Sequence, residues 1–192
     1  MAENDRLQRA FALFDAANSE DPRQEDDQPV ELLYARRMTD WLARLYPHPS
    51  EPLRLAARAQ HIQRWMIPRG RYPMTRAGYL QWRTELGRFH AQTAGKILSE
   101  VGYDPATVQR MGALLRKEKL KADPDAQALE DVSCMVFLEH ELADFAAKHD
   151  EEKVVRILRR TWNKMSPVGH AAAMKLQLSP IAKALIDKAL TS

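Results

Sequence analysis

The chain has 192 residues, a length that suits one compact domain and is short for two. Hydrophobic residues make up 45% and charged residues 29%, with no apolar run near the ~18 residues of a membrane helix, so a soluble protein is expected. A net charge of +3 is too small to mark nucleic-acid binding by itself, and the single cysteine, Cys134, excludes an internal disulfide.

The opening, "MAENDRLQRAFALF", mixes charges of both signs and starts no apolar core with a small-residue cleavage site. No secretory leader is expected, and the expected location is cytoplasmic. "DRLQRAFALFDAAN" (5–18) spaces Leu7, Phe11 and Phe14 four and three apart, as one helix face requires, and the acidic loop "SEDPRQEDDQP" (19–29) follows. The apolar spacing of "VELLYARRMTDWLARLY" predicts a second helix over 30–46, ended by "PHPSEP". A third is expected from about Ser50 to Trp65, carrying His61. Pro68 and Pro73 make 66–74 an irregular Pro/Arg-rich loop. Further helices are expected over 75–101, after the Asp104-Pro105 start to about 120, and over 124–149, 151–165 and 179–190. The expected fold is all-α, a single-domain helical bundle over 1–192 with about seven to nine helices. Cys134, inside "VSCMVFLE", reads as a packed core thiol.

Charge is unevenly spread. "RAQHIQRWMIPRGRYPMTR" holds arginines 58, 64, 69, 71 and 76 without one carboxylate. Arginine forks match phosphate or carboxylate, so Arg64, Arg69, Arg71, Arg76 and Arg83, with Lys164 in "RTWNKMS", are candidate binders of an anion. Trp65, Tyr72 and Trp82 could stack on a base or close a pocket. The plainer reading is a solvated basic face with aromatics in the core.

His61 in "RAQHIQRW", His90 in "GRFHAQTA" and Asp131, next to Glu130, in "ALEDVSC" come from separate helices. Imidazole nitrogen with carboxylate oxygen suits a catalytic divalent metal (Mn, Fe, Zn, Mg or Co) that keeps open positions for substrate. Glu130 and Glu139, two helical turns beyond Asp131, are candidate acids for general-base or ligand-orienting roles. Against this, lone helical histidines serve more often in packing. His48, His140, His149 and His170 fall in loops or near helix ends and take surface or capping roles.

The stretches "RAQHIQRWMIPRGRYPMTRAGYLQWRTELGRFHA", "ILSEVGYD", "LEDVSCMVFLEHELADF" and "RTWNKMS" resemble the domain-of-unknown-function family 4202 over nearly the whole chain. "FDAANSEDPR" resembles that family's opening and draws in Asp15, Asn18 and Asp21. More distantly, "FHAQTAGKILSEVGYDPATVQRMGALLRKEK" followed by "DAQALEDVSCMVFLE" is similar in layout to the HD-domain metal-dependent phosphohydrolases. That resemblance implies an HD-domain-like all-α bundle with the metal held by His61, His90 and Asp131. Ile62 stands where the adjacent aspartate of the His-Asp pair belongs.

Together these point first to a metal-dependent hydrolase of a phosphate ester, a nucleotide or another small phosphorylated metabolite, with Arg64, Arg69 and Arg71 neutralising developing charge. The alternatives are a non-catalytic module binding RNA or another anion, and an HD-type di-iron oxygenase. No membrane partner is expected.

Overall fold

The computed structural model describes residues 2–118 and 122–191, with side chains from Asn4 onward. Helix α1 (Ala2–Ser19) is followed by a two-strand hairpin, β1 (Gln24–Glu25) antiparallel to β2 (Gln28–Pro29), with Gln24 opposite Pro29. The rest is helical: α2 (Val30–Leu45), α3 (Glu51–Ala59), α4 (Arg76–Val101), α5 (Pro105–Leu115), α6 (Pro124–Val136), α7 (Leu142–Ala147), α8 (Glu151–Trp162), α9 (Pro167–Ala173) and α10 (Pro180–Thr191). A wide, π-type stretch, Phe137–Glu141, joins α6 to α7 without a loop. The all-α expectation holds, with ten α-helices among the described residues where about seven to nine were expected. No helix among them is long and apolar enough to cross a membrane.

Most helix starts follow from local chemistry. Ser50, Thr75, Asp104, Asp123, Asp150 and Ser166 each accept a hydrogen bond from an amide two or three residues on, satisfying a donor the first turn leaves orphaned. The long α4 ends at Gly102, whose φ of 91° suits a residue without Cβ.

The apolar faces converge on one core. Leu7, Ala10 and Phe14 of α1 pack with Met38 and Leu42 of α2, Leu53, Leu55 and Ala56 of α3, Ala94 and Leu98 of α4, Met111 and Leu114 of α5, and Leu129, Val132 and Met135 of α6. Helix α4 lies along α5, and Gly95 leaves only enough room for Val108 opposite it. Cys134 sits in this core, and burial pushes its thiol up to about 12, which removes it as a nucleophile at neutral pH.

Three expected boundaries change. Helix α3 stops at Ala59 rather than Trp65, because Gln63 adopts φ 50°, ψ 35°, and the chain continues as short 3-10 turns at Arg64–Met66 and Arg69–Arg71. The acidic loop contains the hairpin, with Asp26 and Asp27 both at positive φ in its turn. Helix α9, between 166 and 178, carries only seven residues, too few for a periodic signal. Positions 119 and 120 of the expected fifth helix lie outside the described residues.

Candidate functional site

The site is built around the turn that ends α3. Asn18, at the end of α1, accepts the Gln63 amide at 3.0 Å and so fixes the left-handed turn that sets His61 beside α2 and α4. Asp15 anchors the same region by accepting both Nε and Nη2 of Arg58 at 2.7 and 2.6 Å. Buried Asp21 accepts from the Arg23 side chain twice, from the Arg23 amide at 3.0 Å and from the Glu31 amide at 3.1 Å, while Arg23 Nη2 also reaches Glu31 Oε1 at 2.7 Å. Burial works to raise Asp21, yet its Arg23 hydrogen bonds hold the carboxyl below its usual range. Glu31 is buried too, and there burial raises the carboxyl despite Arg23.

His61 lies flat on Tyr34, with ring centroids 4.0 Å apart and planes 12° from parallel. Its Nδ1 stands 3.4 Å from Glu31 Oε2, and Arg64 Nη1 donates to its Nε2 at 2.7 Å. Burial first, and then Arg64, hold the ring well below the usual histidine range, so His61 is uncharged at neutral pH. His90 lies beside it, 6.1 Å between ring centroids. The Ile62 carbonyl, 2.8 Å from His90 Nδ1, can only accept, so the ring proton is on Nδ1 and Nε2 keeps its lone pair. Burial lowers His90 to about 4.

Both histidines line a cleft of about 410 Å³ between the α3 turn, the first half of α4 and the end of α5. Arg64, Arg83, Arg88, Arg116 and Lys117 also line it, against Glu118 as the only carboxylate in the lining. Arg116 pairs with Glu118 at 2.6 Å and Lys117 with Glu130 at 2.5 Å. Among the described residues no carboxylate pairs with Arg64, Arg83 or Arg88. Guanidinium groups with no carboxylate in direct contact, on a concave surface, suit an anionic ligand.

The sequence-based candidates divide accordingly. His61, His90, Arg64 and Arg83 come together in the cleft. Arg69 does not: its Nη1 donates to the Tyr72 carbonyl at 2.9 Å and its Nη2 to the Pro73 carbonyl at 2.8 Å. Arg71 likewise donates to the Met66 carbonyl at 3.2 Å. The irregular backbone around the two prolines leaves these carbonyls without amide partners, and the guanidinium groups supply donors instead. Trp82 is a core residue whose Nε1 donates to the Ile67 carbonyl at 2.8 Å, with Arg64 over its ring at 5.1 Å. Arg76 is exposed in the first turn of α4, and half-buried Tyr72 and Trp65 are also outside the cleft lining.

The expected acids serve other partners. Asp131, fully buried, accepts from the Ser166 amide at 2.7 Å, the Ser166 hydroxyl at 2.5 Å, the Tyr46 hydroxyl at 2.6 Å and Gln127 at 3.1 Å. It ties α6 to the start of α9 and the end of α2. Glu130 is the counter-ion of Lys117, with Lys164 at 3.4 Å, and these lysines outweigh burial to hold it below the usual carboxylate range. Glu139 accepts from Trp41 Nε1 at 2.7 Å and lies 2.9 Å from His140 Nε2. Among the described residues no three His, Cys, Asp or Glu side chains group to hold a metal ion. The residues present therefore do not fit the metal that the HD-like layout implies: His61 Nε2 is taken by Arg64, both oxygens of Asp131 are occupied, and the imidazoles share their cleft with five cations. A two-iron centre, which needs more ligands, fits less well.

Sequence reasoning missed Gln60, Arg88, Arg116, Lys117 and the Glu31 support. A signal existed on α4, where Arg83, Gly87 and His90 follow the one-face spacing of a helix. Nothing comparable marked Lys117, which enters the cleft through a backbone turn of φ 57° after α5.

A family model described as "Domain of unknown function (DUF4202)" matches residues 8–186. No curated protein and no solved structure gives a match.

Proposed function

The chain belongs to the DUF4202 family, whose description names no reaction, and from that premise we propose that the cationic cleft binds a small phosphorylated anion and hydrolyses its ester. The observation that carries this reading is the set of three arginines, Arg64, Arg83 and Arg88, around a cleft of about 410 Å³ with no carboxylate paired to them among the described residues. Their forks would hold the phosphoryl oxygens and offset charge that grows as the ester breaks. Phosphate would draw Arg64 away from His61 and free Nε2, leaving the ring backed by Glu31 to take a proton from attacking water. Lys117, whose ammonium burial makes a readier proton donor, would protonate the leaving oxygen. No step is assigned to a metal. The reading takes the chain to act in the cytoplasm.

A second reading, docking of RNA without catalysis, is favoured by the rim. Met66, Met74, Tyr79 and Leu80 are exposed beside Arg71 and Arg76, an apolar and basic surface of the kind that receives unpaired bases.

Titration calorimetry with inorganic phosphate and pyrophosphate, together with phosphate release from a panel of esters in excess chelator at constant salt, tests the proposal. Binding and chelator-resistant release are expected. No binding of either anion overturns it, whereas tight binding of single-stranded RNA with a steep salt slope and no ester cleavage selects the second reading.

A further inference from the structure

Anion binding leaves two atoms of the cleft wall unexplained. Gln60 Oε1 and His90 Nε2 are buried without a hydrogen-bond partner among the described residues, on residues only 6% and 4% exposed. Both residues line the cleft. Folded proteins leave few buried polar atoms unpaired, because each such atom has lost water and gained nothing in return.

Both atoms are acceptors. His90 spends its ring proton on the Ile62 carbonyl, so Nε2 offers only a lone pair. Gln60 leaves its amide oxygen unpaired at the cleft wall. An ionised phosphate group has no proton to give either atom, and its oxygens go to the guanidinium groups. The missing donors therefore belong to the rest of the ligand. An ammonium donor would meet Arg64, Arg83, Arg88 and Lys117 at close quarters and be repelled. Uncharged hydroxyl groups meet no such cost. There is also room for them: a water molecule takes about 30 Å³ of liquid volume, so a cleft of about 410 Å³ holds an organic moiety beside the phosphate.

Building on the anion-binding reading above, we propose that the ligand is a hydroxyl-bearing phosphate ester of the sugar-phosphate class. Its hydroxyls donate to Gln60 Oε1 and His90 Nε2 while the arginines hold the phosphate.

The test compares inorganic phosphate, methyl phosphate, glycerol 3-phosphate, ribose 5-phosphate and glucose 6-phosphate by calorimetry at one ionic strength. At least one hydroxylated ester is expected to bind about tenfold tighter than methyl phosphate, the effect of one or two net hydrogen bonds. Gln60→Leu and His90→Phe should each shrink that preference several-fold, read as the ratio of each ester's affinity to that of methyl phosphate in the same variant. The wild-type comparison stands even if His90→Phe fails to fold, and Gln60→Leu tests the second acceptor separately. Equal affinity for all the esters, as when a trapped water fills both acceptors, overturns the hydroxyl inference and leaves the anion reading standing. A preference that survives both substitutions overturns the assignment of these two acceptors. No binding by any of the five overturns both proposals.

Discussion

The guanidinium of Arg64 donates to Nε2 of His61 at 2.7 Å, tying one cation of the cleft to its uncharged imidazole. The same arginine lies over the Trp82 ring at 5.1 Å, so it is positioned from two sides before any ligand arrives. A lysine at 64 would keep the charge and lose both the fork and the stacking.

Arg64→Lys should therefore weaken inorganic phosphate about ten- to hundredfold, since a charged hydrogen bond contributes roughly 1.5–3 kcal/mol. Arg69→Lys and Arg71→Lys should leave phosphate affinity within about twofold. They should instead lower stability by about 1 kcal/mol each, because these side chains satisfy carbonyls of the proline loop. Calorimetry and urea unfolding separate the effects. An equal loss of affinity in all three variants would contradict the geometry.

His61→Gln should lower phosphate-ester hydrolysis by about 10²–10⁴-fold, the usual contribution of a general base, and leave phosphate binding within a few-fold. Wild-type turnover should persist in chelator at fixed salt. Turnover that disappears with chelator and returns with one divalent ion would show that a metal ion is needed.

His90 links stability to pH. Its folded value, about 4, lies below the unfolded 6.5, so between these values the unfolded chain binds more protons. Its contribution is complete above about pH 6.5 and is lost as pH falls towards 4, amounting to about 3 kcal/mol for this deeply buried ring. Urea unfolding from pH 7 to pH 4 should show that loss in wild type and a shallower slope in His90→Gln. Identical slopes would mean that His90 titrates normally in the folded protein.

The neighbouring acids Glu130 and Asp131 should both matter for stability, and unequally. Asp131→Asn cannot accept from the Ser166 amide, the Ser166 hydroxyl and Tyr46 together, and should cost about 2–3 kcal/mol. Glu130→Gln should cost about 1–2 kcal/mol, because the glutamine oxygen can still accept from Lys117 and the half-exposed Lys164 can turn to solvent. Thermal unfolding ranks the two, and the reverse order would mean that Asp131 is not the clamp between α6 and α9.

Much of the fold was legible because helix signals are local. Apolar spacing within a turn or two marks α2, and the same spacing with a capping Thr or Asp just before the run marks α4, α6 and α8, without reference to the rest of the chain. Where the deciding contact is distant, the reading slipped. Helix α3 ends early because Asn18, far away in sequence, captures the Gln63 amide.

The same division runs through the site. Sequence by itself determined the helical class, the family resemblance and the cationic region that supplies His61, Arg64 and Arg83, because charge density and motif are properties of adjacent residues. Only the tertiary structure decided which groups meet there. Arg69 and Arg71 turn back onto loop carbonyls, Asp131 is claimed by Ser166 and Tyr46, and Gln60, Arg88, Arg116 and Lys117 join the histidines in the cleft. The physical reason is that a polar side chain commits to whichever unsatisfied partner packing brings within about 3 Å, and for these residues that partner depends on how α4, α5 and α6 pack.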